Sequence, residues 1–131
     1  MKKDIEISIA RDVHVAIIHE WNDEFLSRDW NAYILNCRRT SIEMVLVVSK
    51  GFEADRKTST MRHGIGSIAP KSFKKIELVP EDVLELNNEF FVTFFAEDKL
   101  YERRFVFPKN SVKQSAIMPI PIIERDGILA K

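Results

Sequence analysis

Trp30-Asn31-Ala32-Tyr33-Ile34-Leu35-Asn36-Cys37-Arg38-Arg39-Thr40-Ser41-Ile42-Glu43-Met44-Val45-Leu46-Val47-Val48 is the stretch on which the fold class turns. In its first part Trp30, Ala32 and Ile34 alternate with Asn31, Tyr33 and Leu35, and both sets suit burial. That is the pattern of a strand covered on two sides. In its last part Ile42 to Val48 is nearly continuous and rich in β-branched residues, the composition of a central strand. Cys37 to Ser41 carries turn chemistry and is short enough to make the two runs a hairpin.

The same period of two extends outward. Ile5, Ile7 and Ile9 alternate with Glu6 and Ser8, which predicts a strand with one buried face. Val13, Val15 and Ile17 share a face. Lys74, Ile76 and Leu78 alternate with Phe73, Lys75 and Glu77. Phe90 to Phe95 is aromatic and β-branched throughout, and Phe105-Val106-Phe107 follows it across a turn at Glu97-Asp98-Lys99. Ile117 to Ile123 reads as a last extended segment, and Pro119 and Pro121 within it favour polyproline II or a sheet edge. Helical signals are short: Asn22 to Asp29 has room for about two turns, and Pro80-Glu81-Asp82 opens Pro80 to Leu86 as a helix start. Phe52 to Ser67, broken by Asp55, Gly64 and Gly66, reads as a long excursion from the sheet.

Short strands with antiparallel links and no alternation of strand with helix predict an all-β fold. The expected architecture is a two-layer antiparallel β-sandwich, immunoglobulin-like, with seven or eight strands and at most short helical turns. A small barrel is the alternative. Trp30 is the candidate core aromatic, although the cysteine pair of antibody domains is missing. The 131 residues are read as a single domain spanning residues 1–131. A chain of this length buries roughly two-thirds of its unfolded surface, and 45% hydrophobic with 31% charged residues is a globular composition.

Compartment is read from local signals. Met1-Lys2-Lys3-Asp4-Ile5-Glu6 has a basic start without an apolar stretch behind it. The longest strongly apolar run, Met44 to Val48, is far short of the ~20 residues that span a bilayer. Cys37 is the sole cysteine, so no intrachain disulfide forms, and it reads as a small half-buried hydrophobe rather than a nucleophile. The cytoplasm is the expected location, with no membrane partner.

Chemistry-bearing motifs are sparse. His14 and His19, five apart on one strand, face opposite ways and cannot share a metal. With no cysteine pair there is no zinc signature. Arg62-His63-Gly64-Ile65-Gly66 is not followed by a helix that would present N–H groups to a phosphate. The acids at Glu20, Asp23, Glu24 and Asp29, and at Glu81, Asp82, Glu85 and Glu89, read as solvated turn and helix-start positions. No nucleophile elbow is present. No catalytic residue, cofactor site or metal site is therefore assigned.

Net charge is zero, from 20 basic and 20 acidic side chains, which argues against bulk attraction to nucleic acid. The zero is a cancellation. Residues 1–37 carry −3, 38–75 carry +6, 76–102 carry −7 and 103–131 carry +4. Strand pairing would intermix these blocks; segregation would create patches for docking or self-association. The basic block supplies the candidate binding surface: Arg56, Lys57, Arg62, His63, Lys71, Lys74 and Lys75.

Trp21 to Tyr33, Thr58 to Gly64, Asn88 to Phe95 and the closing Gly127-Ile128-Leu129-Ala130-Lys131 resemble a group of small uncharacterised bacterial proteins. Some members of that group carry the label phenylalanyl-tRNA synthetase alpha subunit. A class II synthetase catalytic domain is much larger and needs an arginine-based ATP site on a broad sheet, and this chain has neither. The resemblance thus implies size and architecture, and no synthetase residue transfers. The expected function is non-catalytic, acting through protein contacts, with a homo-oligomer or a protein partner. An RNA- or tRNA-associated accessory role, using the basic loop around Arg62 and His63, is the competing expectation; no DNA partner is expected.

Overall fold

A computed structural model describes residues 7–130. Eleven strands, one short helix and one 3-10 turn follow in the order β1 (Ile7–Ile9), β2 (Val13–Asn22), β3 (Ser27–Asn36), β4 (Ile42–Glu53), β5 (Arg56–Lys57), β6 (Met61–Ile68), β7 (Ser72–Leu78), α1 (Glu81–Leu84), β8 (Asn87–Ala96), β9 (Lys99–Phe107), the 3-10 turn Gln114–Ala116, β10 (Met118–Ile120) and β11 (Arg125–Leu129). The fold is an all-β sandwich of two sheets. The larger runs β1-β9-β8-β4, with β5 and β6 both on the free edge of β4; the smaller runs β10-β11-β2-β3-β7. All pairings are antiparallel except β1 with β9.

Period two places the core. Val13, Val15 and Ile17 of β2, Trp30, Ala32 and Ile34 of β3, and Val45 and Val47 of β4 point between the sheets with Phe90, Phe94, Phe105 and Phe107 of β8 and β9. Those four phenylalanines are buried almost completely, and each contributes about 2–3 kcal/mol by leaving water. The opposite parity of β2 and β3 is buried too. Ala16, Ile18, Tyr33 and Leu35 form a second cluster under Ile120 and Ile123, which the segment from β10 to β11 brings over the outer face of the smaller sheet. This is why the Trp30–Leu35 run is apolar on both sides.

Several expectations are corrected. Cys37 to Ser41 does not close a hairpin: β3 pairs with β2 and β7, whereas β4 pairs with β8, β5 and β6, so the link crosses from one sheet to the other. Asn36 makes the crossing. It is fully buried, its amide donates to the carbonyls of Thr40, Ile68 and Ala69 at 3.0–3.1 Å, and its Oδ1 accepts from the Arg38 N–H. Asn22 to Asp29 is no helix. β2 and β3 run up to a turn at Asp23–Leu26, where the Asn22 Oδ1 accepts from the N–H groups of Glu24 and Phe25 and competes with helical pairing. The excursion from Phe52 to Ser67 folds back as β5 and β6. Its glycines lie inside β6, where the pairing register shifts opposite Gly64 and Gly66 and Gly66 has a φ of 85°.

The seven or eight strands become eleven because the Phe52–Ser67 excursion supplies β5 and β6 and the chain after Ile123 adds β11. Ile7 and Ile9 are exposed, not buried, because β1 joins the edge of β9 with them on the outer side; Ile5 lies outside the described residues. By contrast β8 and β9 form the expected hairpin, with Glu97 and Asp98 both at positive φ between the Ala96–Lys99 pair. Pro80 to Leu86 contains the short α1, and Pro119 sits on the edge strand β10.

Candidate functional site

Strand parity scatters the seven basic candidates. Arg56 and Lys57 form β5 on the rim, and Arg56 pairs with Glu53 at 2.8 Å. Arg62 lies opposite Val48, on the outer face of the larger sheet, while its neighbour His63 lies opposite Val47 and points between the sheets. Lys71 donates to the Cys37 carbonyl at 2.7 Å. Lys75 lies opposite Tyr33 and so shares the outer face of the smaller sheet, and Lys74 is exposed at its edge. All seven therefore lie along the side of the sandwich formed by β5, β6 and β7, but they do not point to one surface.

The charge blocks intermix. Among the described residues every ion pair except Arg56–Glu53 joins different blocks: Arg38–Glu97, Lys50–Glu89, His63–Glu77, Arg104–Glu89, Lys109–Glu53 and Arg125–Glu20. The pairing of β4 with β8 and of β8 with β9 supplies two of these six, Lys50–Glu89 and Arg104–Glu89.

His63 and Glu77 bridge the two sheets. β6 brings the imidazole and β7 the carboxylate, and Nε2 lies 2.7 Å from Glu77 Oε1, which also accepts from the Ser49 hydroxyl at 2.5 Å. A carboxylate cannot donate, so the Nε2 carries the proton. The Ser49 proton is aimed at Glu77 and not at the imidazole, which is not the geometry of a serine activated by histidine. Neither Ser49 nor Glu77 was singled out from sequence. The available signal was Ser49, a hydroxyl at an inward position of an otherwise apolar strand. Cys37 is half-buried, and its burial raises the thiol pKa, opposite to what a nucleophile needs. No group of three or more histidine, cysteine or acidic side chains among the described residues is placed to hold a metal.

A second polar network locks β11 onto the smaller sheet. Glu20 Oε2 accepts from the Tyr33 hydroxyl at 2.6 Å and the Asn31 amide at 2.9 Å, while Arg125 reaches Glu20 Oε1 at 3.1 Å and the Tyr33 oxygen at 3.2 Å. The Arg125 guanidinium also lies over the rings of Tyr33 and Phe73. Burial, and then the Glu20 carboxylate, push the Tyr33 pKa up from 10.0 to about 12. The folded chain thus keeps a proton that the unfolded chain releases between those values, so this stabilisation is complete below pH 10 and is lost as pH rises toward 12. Urea midpoints followed through that window should fall, and Tyr33→Phe should fall less steeply over the same range.

The outer face of the larger sheet is the remaining feature. Register places Ile7 and Ile9 of β1, Leu100, Glu102, Arg104 and Val106 of β9, Phe91, Thr93 and Phe95 of β8, and Leu46, Val48 and Lys50 of β4 on one side. Ile9 is 74% exposed, Ile7 48%, Phe95 39% and Leu46 38%, and Phe91, Val48, Leu100 and Val106 are half-buried. Met44 at the bulge of β4 adds to the patch. No described segment packs over this face, in contrast to the smaller sheet, whose outer face Ile120 and Ile123 cover. Glu89 shares this face and pairs there with Lys50 and Arg104, so the apolar side chains lie beside a charged row.

No helix among the described residues is long and apolar enough to cross a membrane. No family model matches the chain, and no curated protein or solved structure is similar to it.

Proposed function

We propose that this chain is a non-catalytic, cytoplasmic β-sandwich that works by self-association, docking a second copy on the outer face of its larger sheet. The carrying observation is that apolar face, uncovered by any described segment. Strands spaced about 4.8 Å apart and rising ~3.4 Å per residue give five strands of this sheet roughly 700 Å², close to the ~800 Å² per partner of a standard stable interface. Intermixed charges leave no large field of one sign to recruit a polyanion, which supports apolar docking over an RNA-associated role.

Charge register favours a second copy as the occupant. In an aligned face-to-face packing about a two-fold axis running across the strands, each strand faces its own copy with its rows reversed. A centre at Val92 sets Glu102 against the Arg104 of the second copy, Lys50 against Glu43, Leu46 against Val48, Leu100 against Val106 and Phe91 against Thr93. Opposite charges meet on β4 and β9, Leu46 meets Val48 and Leu100 meets Val106, whereas on β8 Phe95 faces the Glu89 of the second copy.

Sedimentation velocity should give twice the 15.2 kDa chain mass at micromolar concentration. Phe91→Lys, at the centre of the face, should raise the dimer dissociation constant by about 30-fold or more, as loss of a hot spot does. A strict monomer at high micromolar concentration defeats the proposal. So does salt-sensitive RNA binding that Phe91→Lys leaves intact and that loss of Lys57 and Arg62 abolishes.

A further inference from the structure

We propose that the cleft at the open edge of the sandwich binds a small organic cation, a primary amine on a compact apolar or aromatic body. The cleft opens where the ladder along the β4 edge is interrupted. β5 pairs with Phe52 and Glu53 and β6 resumes pairing at Ser49; between them Thr58 stays bonded to Gly51, while Ser59 and Thr60 leave the ladder. On the opposite side β7 ends at Leu78 and the chain turns through Pro80 into α1. The sheets part between these points, leaving a cavity of about 270 Å³.

Its apolar wall is made by Met61, Leu78, Pro80, Val83 and Phe90. Phe90 belongs to the main core, so the cavity reaches into the sandwich and is not a surface dimple. The volume has room for a compact organic molecule the size of phenethylamine.

The polar lining sets the sign of the ligand. Asn88 spends its amide on the carbonyls of Val83 and Leu86. Thr58 donates to the Ser59 carbonyl and accepts from the Gly51 N–H. Ser49 donates to Glu77 Oε1, and His63 Nε2 is bonded to the same oxygen. The Lys50 ammonium at the rim is turned to Glu89 at 3.7 Å. Ser59 apart, the hydroxyl and side-chain amide donors of the lining are committed within the protein, while Glu77 Oε2 has no partner among the described residues. The Glu77 side chain is only 16% exposed. Glu77 lines the cavity, and a half-buried carboxylate with a spare oxygen there favours a charged donor as ligand. An ammonium supplies it, and an anion is repelled.

This inference is independent of self-association, because the cleft lies at the sandwich edge and not on the outer face of the larger sheet. Three probes of one shape test it: phenethylamine, 2-phenylethanol and phenylacetate, titrated while backbone amide shifts are followed by NMR. Phenethylamine is expected to shift the amides of Ser49, Met61 and Phe90 in a saturable way, 2-phenylethanol to bind roughly 10-fold or more weakly, and phenylacetate not to bind. Glu77→Gln should remove the preference for the amine. Met61→Trp, at an exposed edge position that tolerates a larger side chain, should block the mouth and abolish binding with the fold intact. Absence of saturable phenethylamine binding at millimolar concentration overturns the inference, as does equal binding of the three probes. It also fails if amine binding survives both variants.

Discussion

Asn36→Leu should lower stability by about 3–4 kcal/mol and the melting temperature by roughly 10–15 °C. Leucine is close in size and apolar, so a pure packing account predicts little change. The polar account predicts a large one. Asn36 shares two N–H bonds among the carbonyls of Thr40, Ile68 and Ala69 and accepts from the Arg38 N–H, all at a fully buried position. Those carbonyls belong to two of the five places where the chain changes sheets, between β3 and β4 and between β6 and β7. Removing the amide leaves the buried Ile68 acceptor and the part-buried acceptors of Thr40 and Ala69 unpaired, at about 1–3 kcal/mol for a buried group and less for the others. Asn36→Asp is the sharper control. It keeps the shape and the acceptor but turns a carboxylate toward carbonyl oxygens, so it should destabilise at least as much. Thermal denaturation of the three proteins decides it, and an Asn36→Leu variant as stable as the parent refutes the clamp.

Gly127→Ala should detach the C-terminal strand. A Cβ on Gly127 would lie 2.4 Å from the Ile17 carbonyl oxygen, 2.9 Å from Ile18 Cδ1 and 3.0 Å from Ile18 Cα. Two of these atoms are backbone, held by the pairing of β11 with β2, so no rotamer change relieves the contact. The expected cost is about 3 kcal/mol, or local release of β11 with its Arg125 network and loss of the Ile120 and Ile123 cover from the second core. Hydrogen exchange at residues 127–129 should speed up far more than at β8. Gly64→Ala is the matched control. Nothing lies within 4 Å of a Cβ there, so a change within about 0.5 kcal/mol is expected.

Legibility in the sequence followed how local the cause was. β8 and β9 were readable because their alternation and their Glu97-Asp98 turn are neighbours in the chain. The two-sided burial of Trp30–Leu35 was readable as well, but not its cause, since the second cover comes from Ile120 and Ile123, far away in sequence. The Cys37–Ser41 link looked like a hairpin because loop length alone cannot distinguish a turn within one sheet from a step between two. That distinction rests on Asn36 reaching the carbonyls of Ile68 and Ala69. Arg62 and His63 were named together as one basic loop, yet strand alternation sends them to opposite sides. Glu77 could not be singled out, because its partners Ser49 and His63 are brought to it only when the edges of the two sheets meet.

The open face of the larger sheet follows the same logic. Ile7 and Ile9 show an alternation that ordinarily means a buried side, and within one chain that side stays exposed. In the proposed docking, β4, β8 and β9 meet their counterparts in a second copy. The direct measurement is an isotope-filtered NOE experiment on a mixture of labelled and unlabelled chains, which records contacts between copies alone. The proposed docking predicts intermolecular contacts from the Phe91 ring and from the Leu46 and Val48 methyl groups. No intermolecular contacts at a concentration where the chain is saturated with itself, or contacts confined to Ile120 and Ile123 on the smaller sheet, would contradict it.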